Sequence, residues 1–444
     1  MGIICPIMSE NIIKIETINI EQTDMPYQII KIITVKDPNE IYLNGRNITD
    51  NYRIRSDYYL ITYLDAGPNE IELIWENFPG KSPFIISGRF IITSEMFKGC
   101  NIIKTISFEK FDMTIIDSMP HMFDSCSSLT EVYYFNPLRA KDLSYLFNNC
   151  NSLTDIKYST DEKNSVVTNM AHMFNDCSSL TNVNLNNFDT SNVVNMESMF
   201  ANCVSLFELD INNFKTRNVK YMNSMFYNCE KLTTLKMNNL QSDELISINS
   251  MFYGCSSLSE INLENFVNSK ITDMSYLFYD CTSLNKIQLP RLDTSKVENM
   301  EYLFYNCIKL VNLVLSNFNI QSVTNMQSMF EKCENLQTLN FFSSGTGLIS
   351  NMINMFSNCF SLKEIKISNI IPQNTITVKM ENLFQNCYAL EKITFTNCFF
   401  NRVNSMKNMF NNCTSLKTLN LESFNVIYTE SMENMFYNCY SLES

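Results

Sequence analysis

The sequence is short of the residues that mark several protein classes. Only 9 glycines and 10 prolines occur among 444 residues, which excludes collagen-like and Pro/Gly-rich disordered chains. Lys and Arg number 33 against 46 Asp and Glu, giving a net charge of −13. Because nucleic acids and anionic membranes attract basic surfaces, we expect no nucleic-acid partner. No apolar run reaches ~18 residues, so we expect no transmembrane segment.

The groups that carry catalysis and metal binding are also scarce. The only histidines are His121 and His172, each five residues before one of a regular series of cysteines, and Tyr145 holds the equivalent position between them. We therefore expect the two histidines to lie too far apart to share a metal. The sequence has no Cys-x-x-Cys pair, Gly-rich phosphate loop or nucleophile elbow. These observations predict a protein that is not an enzyme and holds no metal or cofactor.

What the sequence does contain is an internal repeat. Phe stands three residues before each of fourteen cysteines, Met or Leu precedes that Phe, and Leu or Ile follows three residues after the cysteine. Ten of the thirteen intervals between these cysteines are 26 residues long. The cysteines are Cys100, Cys126, Cys150, Cys177, Cys203, Cys229, Cys255, Cys281, Cys307, Cys333, Cys359, Cys387, Cys413 and Cys439.

Two periodicities alternate within each repeat. Residues 196–203 place apolar side chains at positions 0, 3, 4 and 7, which predicts one face of a short helix. Residues 206–211 end in apolar alternation of period two, which predicts a short strand. One such unit cannot bury both of its faces, whereas stacked units share a continuous core. The sequence thus predicts an α/β solenoid of about 14 coils, each with a short strand and a short helix.

The repeat resembles a known family. The Leu-x-x-Leu-x-Leu segment after each cysteine is similar to a leucine-rich repeat, and the fuller Met-Phe-x-x-Cys-x-Ser-Leu string resembles the BspA-like 26-residue repeat, most closely in residues 170–214. The resemblance covers residues 95–444. It implies a leucine-rich-repeat solenoid in a surface protein that takes part in adhesion and protein binding. It also implies a location at the cell surface or outside the cell, although the start of the chain does not resemble a signal peptide.

Residues 1–94 lack the repeat and read as a separate β-rich domain that caps the array of residues 95–444. Segments near Ile13, Gln28, Tyr59 and Glu70 have strand-like composition, and Asn44-Gly45 predicts a tight hairpin turn. A hydrophobic solenoid end needs such a cap.

Two modifications are considered in this N-terminal part. Asn47-Ile48-Thr49 is a glycosylation sequon, which makes Asn47 a candidate glycosylation site. Gly2 and Cys5 offer a weak lipidation pattern, because Pro6 stands where the myristoylation motif requires Ser or Thr.

One surface pattern stands out among otherwise mixed polar positions. Four consecutive coils carry tyrosine two residues before the cysteine, and two of them also carry tyrosine five residues before it. Such tyrosines can form a partner-binding stripe, because aromatics are enriched at interfaces, or they can simply cover one another between coils. The candidate partner-binding residues are Tyr227, Tyr253, Tyr279, Tyr305, Tyr276 and Tyr302.

The favoured hypothesis is a non-enzymatic surface protein, adhesin- or receptor-like, that binds a protein or glycan ligand. The chain stops at Ser444, part-way through a repeat, so a second hypothesis is a homo-oligomer or filament assembled through an uncapped C-terminal coil. A third is a cytoplasmic protein–protein scaffold, for which the unpaired cysteines argue.

The even number of 16 cysteines is typical of a disulfide or metal framework, but their positions in the repeat do not favour one. Fourteen lie in an apolar column, where free cysteine acts as a small hydrophobe, and Cys398 replaces a core Phe. We expect free thiols. The Asn that precedes a second conserved Phe, as in Asn187-Phe188, is expected to bind backbone groups of adjacent coils.

Overall fold

Strands dominate the secondary structure in a computed structural model of the chain. It describes residues 10–17, 27–31, 40–47, 52–55, 58–61, 70–76, 91–92, 94–111, 113 and 116–443, except 242, 268–269, 290–291, 316–317 and 343–347. Gly2 and Cys5 lie outside the described residues. Within the described part of the chain, no helix is long and apolar enough to cross a membrane.

The strands are short and follow one another at the repeat period. They are β1 (Glu10–Thr17), β2 (Tyr27–Lys31), β3 (Glu40–Leu43), β4 (Arg46–Asn47), β5 (Tyr52–Arg55), β6 (Tyr58–Ile61), β7 (Glu70–Glu76), β8 (Ile91–Ile92), β9 (Ile103–Lys110), β10 (Ile116–Ser118), β11 (Glu131–Phe135), β12 (Asp155–Tyr158), β13 (Glu208–Asp210), β14 (Thr234–Lys236), β15 (Glu260–Asn262), β16 (Lys286–Gln288), β17 (Asn312–Val314), β18 (Thr338–Phe342), β19 (Glu364–Ser368), β20 (Val378–Lys379), β21 (Lys392–Thr396) and β22 (Val403–Ser405).

The repeat folds as a β-solenoid of about 11 turns. The cysteine-bearing turn segment recurs fourteen times along the chain, and we call each such segment with its flanking residues a coil. Its residues fall into two compact units, unit 1 (Met1–Leu206) and unit 2 (Phe207–Ser444). Among the described residues, the coils of Cys177 and Cys413 have no strand after the cysteine. In the first of these, asparagines surround Val183, and asparagine is a poor strand former.

In unit 1 one sheet joins the N-terminal strands to the first coils. Its order is β12-β11-β9-β1-β7-β3-β4, and β1 pairs antiparallel with β9 while β9, β11 and β12 are parallel. The predicted hairpin is confirmed, because Asn44 and Gly45 have φ of 48° and 77° between β3 and β4. The predicted strands near Ile13, Gln28, Tyr59 and Glu70 are confirmed as well. The boundary between residues 1–94 and 95–444 stays a prediction.

In unit 2 the parallel strands form separate short sheets. The pairs are β13-β14, β15-β16 and β20-β22, and a four-stranded sheet has the order β17-β18-β19-β21. Phe side chains three residues before each cysteine stack in a column with ring centroids 5.2–5.8 Å apart, as do those of unit 1. This column is the centre of the core in both units.

The predicted helix in each coil is wrong. Residues 196–203 form consecutive turns, and the helical structure within the described residues is limited to short 3-10 segments such as Thr190–Asn192. Ser198 and Asn202 have φ of 50° and 58°, in the left-handed region that ends an α-helix. Positive φ recurs five residues and one residue before every one of the fourteen cysteines.

The backbone of this turn segment bonds between coils instead of along a helix. In the coil of Cys281, the N–H groups of Met274, Tyr276, Phe278 and Asp280 each donate to a carbonyl of the next coil at 3.0 Å. The intervening N–H groups close turns, as Cys281 does on the Phe278 carbonyl at 3.2 Å. Each coil therefore holds its neighbour in fixed register.

Candidate functional site

Two columns of side chains run along the turn segments. We name them the minus-five column and the minus-two column, after their distance before the repeat cysteine. Backbone bonds between coils fix both columns, so the side chains of successive coils lie directly over one another. The six candidate tyrosines occupy these columns in the coils of Cys229, Cys255, Cys281 and Cys307 of unit 2.

The four tyrosines of the minus-two column form a continuous stack. Ring centroids are 4.5 Å apart from Tyr227 to Tyr253, from Tyr253 to Tyr279 and from Tyr279 to Tyr305, with interplanar angles of 13°, 2° and 9°. Each ring is half-buried. The faces of these rings are occupied by their neighbours, so the stack presents ring edges and phenolic hydroxyls to solvent. The rings therefore cover one another between coils, and the partner-binding role of the stripe stays a prediction.

The minus-five column adds a second, shorter stack beside the first. Tyr276 and Tyr302 stack at 5.0 Å, and Tyr276 lies 5.7 Å from Tyr279 in a tilted arrangement. Tyr302 contacts Tyr305 edge to face at 5.5 Å. The structure thus brings all six predicted tyrosines together, and we name them the tyrosine cluster.

Polar groups cap the cluster at its far end. The Lys332 ammonium lies 5.0 Å from the centroid of Tyr305, and a hydrogen bond with that phenol raises the pKa of Lys332. The Gln327 side-chain amide donates to the Tyr302 hydroxyl at 3.0 Å. These contacts fix the orientation of the last two rings.

The phenols of Tyr276 and Tyr279 are held in their neutral form. Burial, reinforced by the Glu301 carboxylate, raises the pKa of Tyr276 to about 12. Burial and the neighbouring Asp280 also raise the pKa of Tyr279 well above its ordinary value. At neutral pH the hydroxyls therefore act as hydrogen-bond donors as well as acceptors.

Unit 1 carries different side chains in the same two columns. In the minus-five column, Tyr145 stacks on His121 at 4.4 Å and on His172 at 4.3 Å, so a full ring separates the histidines as predicted. Burial lowers the pKa of His172. No group of three or more metal-ligating side chains occurs among the residues that the structure describes.

The minus-two column of unit 1 is a buried polar network. The Asp124 carboxylate accepts from the Asn148 amide at 2.8 Å, lies 2.9 Å from His121 Nδ1 and pairs with Lys98 at 3.2 Å. Asn175 in turn donates to Asn148 at 2.8 Å. Although burial opposes it, these hydrogen bonds lower the pKa of Asp124. Sequence reasoning missed this network, whose signal was the Asp/Asn identity of the column.

The cysteines of the repeat are part of the backbone bonding. The Cys281 thiol donates to the Phe252 carbonyl of the preceding coil at 3.1 Å, and the pattern recurs at 2.9–3.2 Å from Cys126 to Cys439. The described cysteines are free thiols. Burial raises the pKa of Cys255 to about 12, so this thiol is neutral and unreactive at physiological pH.

Asparagine ladders join the coils in several columns. The predicted contact of the Asn that precedes the second Phe is confirmed, because the Asn265 amide donates to the Asn238 carbonyl of the preceding coil. Amide-to-amide ladders were missed, such as Asn438 to Asn412 at 2.7 Å and Asn412 to Asn386 at 2.6 Å.

The strand side of unit 2 contains a polar depression of about 520 Å³. It lies where β14 and β15 are not joined in one sheet, and its charged groups are Lys236, Glu260 and Lys286. Lys236 pairs with Asp210 at 3.4 Å, and Lys286 pairs with Glu260 at 3.2 Å. Because its charges are paired and exposed, the depression has no strong charge preference.

Two further predicted sites lie at other places in the chain. Asn47 is exposed at the end of β4, and Ile48 and Thr49 lie outside the described residues, so its glycosylation stays a prediction. In the coil of Cys439, Ile427 and Tyr440 are exposed by 81% and 79%. Homo-oligomerisation through this coil also stays a prediction.

Comparisons with known proteins agree with the repeat geometry. A family model described as "Mycoplasma protein of unknown function, DUF285" matches residues 141–261, 246–370 and 350–444. A model described as "BspA type Leucine rich repeat region (6 copies)" matches residues 87–170. No curated protein matches the chain.

Two solved structures of bacterial proteins are similar to this chain. A leucine-rich repeat protein from Bacteroides ovatus is 19% identical, with a TM-score of 0.43, over 75% of this chain and 82% of that one. A leucine rich cell surface protein from Faecalibacterium prausnitzii is 19% identical, with a TM-score of 0.34, over 77% of this chain and 82% of that one. On the family models, the chain belongs to the DUF285 family, and its repeats are of the BspA-type leucine-rich class.

Proposed function

We propose that the chain is a non-enzymatic interaction protein at the cell surface, which binds a protein or glycan partner through the tyrosine cluster. Leucine-rich repeats of this type suggest a role in protein interaction, and BspA-like proteins are typically found at the cell surface. The observation that carries the proposal is the cluster itself, six half-buried tyrosines on one surface of unit 2.

The physical state of the cluster suits recognition. Stacking at 4.5–5.0 Å fixes the rings before any partner arrives, so little side-chain entropy is lost on binding. Tyrosine offers apolar area together with a hydroxyl, and it is enriched among the residues that dominate binding energy. The hydroxyls are neutral at physiological pH and can donate to a partner.

Among the residues that the structure describes, the thiols and His121 occupy structural positions, which supports a role without chemistry. Proteins of this repeat class are generally non-enzymatic. The buried thiol of Cys255 has a raised pKa. The His121 ring contacts the Asp124 carboxylate of a structural network, and not a nucleophilic side chain. The alternatives of end-to-end assembly and of a cytoplasmic scaffold stay predictions.

A binding panel tests the proposal. The full chain is applied to immobilised extracellular-matrix proteins and mucins, beside a Tyr253→Ser/Tyr279→Ser variant. We expect at least one panel member to bind the native chain. Its affinity for the variant should be about tenfold weaker or more, because Tyr253 and Tyr279 are the two central tyrosines of the proposed interface. Tyr388→Ser is the matched control, because Tyr388 is an exposed tyrosine outside the cluster. Equal binding by all three chains would reject the cluster as the binding surface.

A further inference from the structure

The minus-five column passes from stacked rings to serine within both units, after His172 in unit 1 and before Tyr276 in unit 2. In unit 1, Tyr145 has a ring on each of its faces. In unit 2, Tyr276 has a stacked ring on one face only, that of Tyr302, and the column continues on its other side with Ser250. Because serine is too short to reach over the Tyr276 ring, the column has a gap the thickness of one ring at this coil.

Polar side chains surround this gap. Ser250 and Ser224 form its floor in two successive coils, and both are partly exposed, as is Asn249. The Tyr253 ring forms one wall, with its centroid 6.5 Å from that of Tyr276 and a tilt of 42°. The gap therefore combines one aromatic face with several hydroxyl and amide groups.

We propose that this gap binds the sugar ring of a glycan, which takes the place of the missing ring in the stack. The C–H face of a pyranose packs on the Tyr276 ring, while its hydroxyls bond Ser250, Asn249 and the Tyr253 phenol. A purely apolar ring fits less well, because it would bury these polar groups without partners. This inference rests on the proposed function and assigns a ligand class to one part of the same cluster.

The backbone allows three variants that change the gap in opposite directions. Tyrosine is accommodated at positive φ in this column, with φ of 56° at Tyr145 and 57° at Tyr276. Ser250 and Ser224 both have φ of 54°, so tyrosine fits at either position. Ser250→Tyr fills the gap, Ser224→Tyr adds a second ring on its far side, and Tyr276→Ser removes its wall.

The test begins with an array of galactosides, glucosides, mannosides and N-acetylhexosaminides, followed by calorimetric titration with the methyl glycoside of the sugar that binds best. We expect Ser250→Tyr to abolish binding and Tyr276→Ser to weaken it by about tenfold. Ser224→Tyr should tighten binding several-fold, because the sugar then lies between two rings. Thermal unfolding of each variant verifies the fold, and Ser250→Tyr should unfold no earlier than the native chain because it extends the stack.

Three results would overturn the inference. These are no sugar bound by the native chain, unchanged sugar binding by Ser250→Tyr, or binding of phenol or a tryptophan peptide in place of every sugar. The matrix panel is repeated after enzymatic deglycosylation of its proteins. Binding that survives deglycosylation and still depends on Tyr279 would reject the sugar site and leave the proposed function standing. Binding that is lost on deglycosylation supports the sugar site.

Discussion

The same two columns carry different kinds of side chain in the two units. In unit 1 the minus-two column includes Asp124, Asn148 and Asn175, whose side chains bond one another in a largely buried network. In unit 2 it is a stack of tyrosines whose hydroxyl edges reach solvent, as in Tyr253 and Tyr279. The backbone is alike in both, with positive φ at the equivalent positions. A repeat therefore fixes where a side chain lies, and the residue at that position decides whether it joins a polar network or presents a ring edge to solvent.

The largest loss of stability should follow from removing a ring of the Phe column, and it should be similar in both units because both contain this column. We expect Phe147→Ala in unit 1 and Phe278→Ala in unit 2 each to lower the free energy of unfolding by about 3–5 kcal/mol. Both rings are fully buried and stacked on two neighbours. Urea unfolding measures the losses, and a loss in one unit alone would show that the two cores differ.

Substitutions in the minus-two columns of the two units should differ in how much they lower the free energy of unfolding. Asp124→Ala removes the acceptor for Asn148, His121 and Lys98, so we expect a loss of about 2–3 kcal/mol in the free energy of unfolding. Tyr305→Ala, at the end of its stack, should cost about 1 kcal/mol, since it loses one stacking partner and part of its buried area. If the tyrosine variant proves the more destabilised of the two in urea unfolding, the contrast between the units fails.

Backbone strain should be independent of the unit. Asn149 has φ of 56°, and we expect Asn149→Val to lower the free energy of unfolding by about 1–2 kcal/mol because a branched side chain resists this conformation. Asn149→Gly is the matched control and should be nearly neutral, since glycine adopts positive φ readily. Equal losses in the two variants would point to the amide side chain instead of the backbone.

The smallest effect concerns alkaline pH. The pKa of Tyr276 is raised to about 12 in the folded chain, so its contribution to stability is complete below its unfolded pKa of about 10. That contribution should disappear as the pH rises from about 10 through 12. Urea unfolding between pH 8 and 12 should show a smaller decline in Tyr276→Phe than in the native chain. Parallel declines would mean that Tyr276 titrates normally.

Periodicity alone predicted the stacked coils, the core columns and the tyrosines that come together. The strands followed from the same pattern, as in β13 at the predicted position of residues 206–211. The helix prediction failed because apolar spacing of 0, 3, 4 and 7 also suits a series of turns that bury one side. The residue before the cysteine held the missing signal. It is Asn, Asp or Gly in twelve of fourteen coils, as at Asn202 and Gly254, and these residues favour positive φ.

The details of the site could not be read from the sequence. Whether Tyr253 and Tyr279 stack or point apart depends on the coil spacing and on rotamers, neither of which has a sequence signature. The Asp124 network likewise depends on residues 24 to 26 positions apart whose side chains meet only after the coils stack. The gap beside Tyr276 becomes visible only when the spacing of the stacked rings in this column is known.

Footprinting of the bound complex tests the central claim most directly. The full chain is exposed to hydroxyl radicals with and without a matrix protein or mucin that binds it on the panel, and oxidised residues are located by mass spectrometry. We expect protection of Tyr253, Tyr276 and Tyr279 in unit 2, with no change at His121 and Tyr145 in the same columns of unit 1. Protection of the unit 1 residues, with the tyrosine cluster oxidised as in the free chain, would contradict it.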